Sequence, residues 1–265
     1  MTTVSRIIMF IHLGLGYFFF GSNAQAQIKS EEIIKILKTN GINTSDVTME
    51  VRHENKIIFG LNEKTQLIPA SITKVFTTYA VLKQIPLNYK FKTEMFFDDK
   101  NLYVKGGGDP GFVSENMWYL VNEFKRQGVS HIPGDIILDD SLFDQVRYDE
   151  SRESKRIDRS YDAPVGALSF NWNSVNVYIK PEDGKVLAYI DPESNYFTLR
   201  NTAKISKKAK DLILSIDQDS QVITVSGELS SQVPEKAYFK NVSDPIKWFG
   251  ENLKSFLNQR GISIK

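Results

Sequence analysis

The chain has 265 residues, enough for one large domain or two modest ones with a substantial core. Its 33 basic and 32 acidic side chains leave a formal charge of +1, so bulk electrostatics give no reason to expect a nucleic-acid partner. With no cysteine and only 3 histidines, disulfides and thiolate metal sites are excluded, and a metal cluster or a Ser-His-Asp triad has little to be built from.

The chain opens with Arg6, an apolar run over 7–21 and then Ala24-Gln25-Ala26, the form of a secretory leader cleaved before Gln27. The run is shorter than the roughly 20 residues that cross a bilayer. A removable signal peptide over 1–26 is therefore expected, leaving an exported, periplasmic chain with no stable membrane span. Ser30-Glu31-Glu32 ahead of Ile33, Ile34, Ile36 and Leu37 predicts a helix that stops at Asn40-Gly41. Residues 47–52 alternate as a strand, Asn55 marks a turn, and 56–60 return as the second arm of a hairpin. Pro69 breaks the chain, and a helix is predicted over 71–82 with Val75, Tyr79 and Leu82 on a buried face.

After Pro86 the texture changes. Strands are predicted at 91–97 and 101–104, then the glycine-rich stretch 106–111, a helix over 117–126 ending at Gly128, and a strand over 135–139. The charged stretch 147–162 reads as an exposed loop. Short strands follow at 175–179, 186–190, 197–199, 212–216 and 222–225. Lys204, Lys207, Lys208 and Lys210 form a basic cluster, read as a solvated turn. Asp244-Pro245 opens a last amphipathic helix (Ile246, Phe249, Leu253, Phe256, Leu257) that ends at Gly261.

The chemistry-bearing motif is Ser71-Ile72-Thr73-Lys74. Serine is a poor nucleophile until a base removes its proton. Three residues apart on a helix, Lys74 shares a face with Ser71 and can bring its amine to the hydroxyl. A lysine serves as base only when partly neutral, a condition that burial or nearby positive charge promotes. A helix N-terminus at Ser71 would favour developing negative charge, with its backbone N–H as one oxyanion donor. About one Ser-x-x-Lys is expected by chance in a chain of this length. A capping serine with a lysine one turn on is also a common structural arrangement.

The surrounding residues narrow the reading. Pro69-Ala70-Ser71-Ile72-Thr73-Lys74, Gly106-Gly107-Gly108-Asp109-Pro110, the strand from Gly134 to Asp140 and the segment from Ala163 to Asn171 occur in that order. Together they resemble the low-molecular-mass penicillin-binding proteins, specifically the D-alanyl-D-alanine carboxypeptidase/endopeptidase family of the DacB type (peptidase family S13). The resemblance implies a mixed α/β serine-transpeptidase-like domain interrupted by a mostly β insertion, with only its N-terminal part present here. It implies residues 27–88 as the first part of the catalytic domain, 89–240 as the insertion and 241–265 as a helix returning to the catalytic domain. Ser71 would be the nucleophile and Lys74 the general base, acting on peptidoglycan peptides, with β-lactams as acylating inhibitors of intact homologues. No metal or organic cofactor is implied.

Two further family motifs, Ser-x-Asn and Lys-Thr/Ser-Gly, are expected beyond the inserted region. The sequence holds no Lys-Ser/Thr-Gly, and Ser169-Phe170-Asn171 and Ser174-Val175-Asn176 are read as accidental strings. This polypeptide alone is therefore expected to have little peptidase activity and to resemble the N-terminal part of an enzyme. A non-catalytic exported peptidoglycan- or partner-binding remnant is the alternative. A third reading is an unrelated exported protein with a coincidental motif.

Overall fold

The computed structural model describes residues 30–150, 158–207 and 211–265. The expected leader over 1–26, part of the charged stretch (151–157) and Lys208 and Lys210 lie outside the described residues. The chain divides into two units, Met1–Leu87 and Asn88–Lys265.

The first unit is built from local signals. Helix α1 (Ser30–Thr39) carries acidic residues in its first turn, which complement its dipole, and Lys38 in its last. It stops where Gly41 takes φ +69°, with Ile42 N–H bonded to the Leu37 carbonyl at 2.9 Å. Strands β1 (Met49–His53) and β2 (Lys56–Leu61) pair antiparallel. Glu54 and Asn55 between them both adopt positive φ, as a tight hairpin turn requires. A 3-10 turn over Ala70–Ile72 leads into α2 (Thr73–Gln84).

The predicted buried face of α2 is overturned. Val75, Tyr79 and Leu82 are 66%, 63% and 57% exposed, and no residue of α2 is buried. Phe59 is the sole buried residue among those described in this unit. A two-stranded hairpin offers too little apolar surface to cover a helix that is apolar on several sides.

The second unit is mostly β, with two helices described along their whole length. Strands β3 (Glu94–Phe97), β4 (Leu102–Lys105) and, after helix α3 (Ser114–Arg126) and the short β5 (His131–Ile132), β6 (Ile136–Asp139) form a sheet of order β3-β4-β6. Strands β7 (Ser174–Glu182) and β8 (Lys185–Asp191) pair antiparallel, and β9 (Thr198–Asn201) and β10 (Lys204–Ile205) follow. Strands β11 (Ile213–Asp217) and β12 (Val222–Ser226) join β9 in the order β11-β12-β9, and β13 (Glu228–Leu229) pairs with β10. Strand β14 (Lys236–Asn241), which no sequence signal announced, adds to the outer edge of β7. Its mostly exposed residues lack the alternation that marks a half-buried strand.

Helix α4 (Pro245–Gln259) closes the core. Asp244 caps it by accepting the Lys247 N–H at 2.9 Å, and Pro245 occupies the first turn. Trp248, Phe249, Leu253 and Leu257 are essentially fully buried among Met117, Val121, Val175, Val177, Ile223 and Val225. Strand β15 (Ser263–Ile264) then pairs parallel with β5. Within the second unit helix α4 packs on α3 and β6. Its Trp and Phe side chains are what complete that core.

Candidate active site

Ser71 lies in the 3-10 turn just ahead of α2, and Lys74 lies in the helix's first turn. Lys74 Nζ donates to Ser71 Oγ at 2.9 Å, so the two candidate residues are brought together as their spacing requires. Both are exposed, and the burial expected around the amine is not found among the described residues.

One feature of this turn had no signal in the sequence. Ala70, immediately before Ser71, sits at φ +46°. An L-residue with a Cβ pays about 1–3 kcal/mol for such a conformation. The strain sets the serine at a sharp bend, with the chain turning from Pro69 into the helix. Such outliers persist only where the surrounding structure over-determines them, and they cluster at functional sites.

The other family-like motifs meet in the second unit. Gly108 N–H bonds to the Ala167 carbonyl at 3.0 Å and Gly106 N–H to the Asp139 carbonyl at 2.9 Å. A Cβ on Gly106 would stand 2.4 Å from the Ala167 carbonyl, and one on Gly107 2.0 Å from the Lys92 carbonyl oxygen. These glycines therefore admit close backbone crossings; they do not cradle a phosphate. Buried Asp140 accepts the Leu168 N–H at 2.6 Å and one Arg147 nitrogen at 2.5 Å, and the same nitrogen donates to the Val165 carbonyl at 3.1 Å. The glycine loop, the acidic strand end and the Ala163-to-Asn171 segment thus form one structural knot. Arg147, expected in an exposed loop, is drawn inward by it, and Asp162 of the same stretch is 3% exposed, its carbonyl accepting the Asn241 side-chain N–H at 2.9 Å. Asp139 beside this knot is held below the ordinary carboxylate range, first by the Ser141 hydroxyl and then by the Ser141 N–H, against the opposing effect of burial.

The two Ser-x-Asn strings have structural partners. Ser169 Oγ donates to the Gly166 carbonyl, Asn171 is bonded to Ser114, and Ser174 Oγ donates to the Lys240 carbonyl. Among the described residues no group of three or more His, Cys, Asp or Glu is placed to hold a metal ion, and no helix is long and apolar enough to cross a membrane.

A serine that follows a left-handed alanine and is hydrogen-bonded to a lysine one turn on precedes, along the chain, a β-rich unit with two helices among its described residues. Residues 29–265 match the D-Ala-D-Ala carboxypeptidase 3 (S13) family, and the chain belongs to it. It is 26% identical over 218 residues to a D-alanyl-D-alanine carboxypeptidase of Actinomadura sp. (strain R39), covering 76% of this chain and 40% of that protein. It is 31% identical over 122 residues to D-alanyl-D-alanine carboxypeptidase DacB of Haemophilus influenzae, covering 38% of this chain and 26% of that one. The crystal structure of penicillin binding protein 4 (dacB) from Haemophilus influenzae superposes with a TM-score of 0.63 at 22% identity, over 80% of this chain and 50% of that one. The fold expected from the sequence is therefore found, and the chain spans half or less of the length of these relatives.

Proposed function

We propose that this chain contributes the nucleophile and its base to a serine-type D-Ala-D-Ala carboxypeptidase or endopeptidase that acts on peptidoglycan peptides outside the cytoplasmic membrane. The carrying observation is the 2.9 Å contact between Lys74 Nζ and Ser71 Oγ in a chain of this family. With Lys74 as the neutral amine, the Ser71 proton passes to Nζ as Oγ attacks the penultimate D-Ala carbonyl. The tetrahedral oxyanion forms beside the start of α2, where the Ser71 N–H and the helix dipole favour it. Its collapse expels the terminal amine, which takes the proton from Lys74 and leaves an ester on Ser71. Water then attacks that ester, giving the shortened peptide and restoring the hydroxyl. A β-lactam would follow the same first step, and its opened ring would stay on the serine. Export through the leader over 1–26 would bring the chain to this substrate.

These 265 residues contain no Lys-Ser/Thr-Gly from which a second oxyanion donor would come. Loss of one such donor costs roughly a hundred- to a thousandfold in rate. Peptide hydrolysis by this polypeptide alone is accordingly expected near background. Acylation is the more sensitive test. On prolonged incubation with a fluorescent penicillin, intact-mass and peptide mapping should locate an adduct on Ser71 that Ser71→Ala and Lys74→Ala abolish. An adduct elsewhere, or one that survives Ser71→Ala, defeats the proposal. No adduct at all would favour a non-catalytic binding protein.

A further inference from the structure

Among the described residues, the Ser71–Lys74 pair is open to solution. Lys74 Nζ donates to Ser71 Oγ at 2.9 Å, and both residues are exposed. Ile72 beside the serine is 65% exposed, and no residue of α2 is buried. A small molecule therefore reaches the hydroxyl directly, without a cleft that selects it by shape. What selects among substrates here is the difficulty of the bond to be broken.

Two parts of peptide cleavage ask most of a protein. The peptide bond is stabilised by resonance, and its amine departs only after taking up a proton. The tetrahedral oxyanion needs donors aimed at it, and each donor lost costs roughly a hundred- to a thousandfold. The Ser71 turn offers its own N–H and the positive end of α2, and the sequence holds no Lys-Ser/Thr-Gly to add a second donor. An ester of a phenol or an enol relaxes both demands. Its carbonyl lacks amide resonance, and its leaving group departs as an anion with no proton donor beside it. The step that remains is activation of the serine, which the contact between Nζ and Oγ supplies.

We propose that Ser71 and Lys74 of this polypeptide hydrolyse small activated esters, those of phenols and enols, through an acyl-enzyme. The proposal rests on the reading of the pair as nucleophile and base given above, and sets its substrate class by the leaving group. Neutral Lys74 Nζ takes the Ser71 proton as Oγ bonds to the acyl carbon. The bond from that carbon to the phenolic oxygen breaks, and the phenolate carries away the electron pair. The Lys74 ammonium then gives its proton to solvent. In the second half, water attacks the Ser71 ester while Nζ accepts a proton from it. That proton returns to Oγ as the carboxylic acid leaves, so one ester and one water become one acid and one phenol.

The probe is p-nitrophenyl acetate, with p-nitroacetanilide as the control that differs only in carrying the amide. Surface lysines also react with aryl esters, but each is used up once. The 265-residue polypeptide should release more nitrophenolate than its lysines can account for, faster as the pH is raised and Nζ becomes neutral, and should leave the anilide intact. Ser71→Ala should bring the rate down to that of buffer, and Lys74→Ala should slow it roughly a hundredfold. Lys74→Arg should be as slow as Lys74→Ala, because a guanidinium keeps its proton, whereas a lysine with a purely structural role would be replaced by it. Both positions are exposed, so thermal unfolding of the variants should match wild type and shows that the fold persists. Release that stops once the lysines are acetylated overturns the proposal. So do turnover that survives Ser71→Ala, a full rate in Lys74→Arg, and cleavage of the anilide as fast as of the ester. Penicillin acylation of Ser71 without ester turnover strikes this inference and leaves the family reading standing. Ester turnover without a penicillin adduct does the reverse.

Discussion

Helices α2 and α4 are similar in length and both carry aromatic and branched apolar residues, yet α2 buries none of its side chains and α4 buries Trp248, Phe249, Leu253, Phe256 and Leu257. The difference lies in what surrounds them. Helix α4 meets α3 and the inner faces of three-stranded sheets, whose Val175, Val177, Ile223 and Val225 have no exposed surface. Among the described residues, helix α2 has only α1, two 3-10 turns and a two-stranded hairpin within its unit. At roughly 25 cal/mol per Å² of apolar surface removed from water, α4 anchors its unit, while α2 gains little from the described residues. The Ser71–Lys74 contact therefore sits at the start of the less secured of the two helices, and the other family-like motifs sit in the secured unit.

Substitutions can break or sharpen this contrast, beginning with the largest effect. Trp248→Ala removes a fully buried ring and the hydrogen bond to Phe170, and should cost the second unit about 3–5 kcal/mol in chemical denaturation. Asp140→Ala leaves the largely buried Arg147 guanidinium without its carboxylate and the Leu168 N–H without its acceptor, for about 3 kcal/mol by the same measurement. Gly107→Ala drives a methyl group into the Lys92 backbone, which cannot yield as a flexible side chain would, and should cost about 1–3 kcal/mol. Val75→Ala on α2, by contrast, should stay within about 0.5 kcal/mol, because the side chain is already in water. A loss of more than 2 kcal/mol there would show that α2 is covered after all.

Acid provides a gentler probe of the second unit. Asp98, Asp139 and Asp217 are held below the ordinary carboxylate range. Asp98 is held chiefly by the Asn101 N–H, Asp139 by the Ser141 hydroxyl and Asp217 by the Ser220 hydroxyl. A carboxyl depressed in the folded state adds stability above its unfolded value of about 3.9 and loses it as pH falls through the lower folded value. Thermal stability of the second unit should therefore decline below about pH 4, and replacing all three by asparagine should flatten that decline. Hydrogen exchange would show the contrast directly: amides of β7 and β12 should exchange only by global opening of their unit, and those of α2 by local fraying.

Much of the local structure was legible in the chain. The glycine at position 41, the polar turn at 54–55 and the Asp244-Pro245 cap are signals whose physics acts within a few residues, and the elements they bound were found within a few positions. The Ser71–Lys74 contact was legible for the same reason, since helical spacing alone brings those side chains together. Strand β14 was missed because an edge strand needs no alternation of its own when its partner supplies the ladder.

What the sequence determined by itself was every feature governed by near neighbours: the turns, the caps, and the hydroxyl-amine pair. What only the tertiary structure decided was which apolar faces acquire a partner. Apolar residues in α2 and α4 alike led to the expectation of a buried face, but burial depends on atoms distant in the chain. The same holds for the left-handed Trp172 and Ala70, since nothing about either residue type announces a conformation that its surroundings impose.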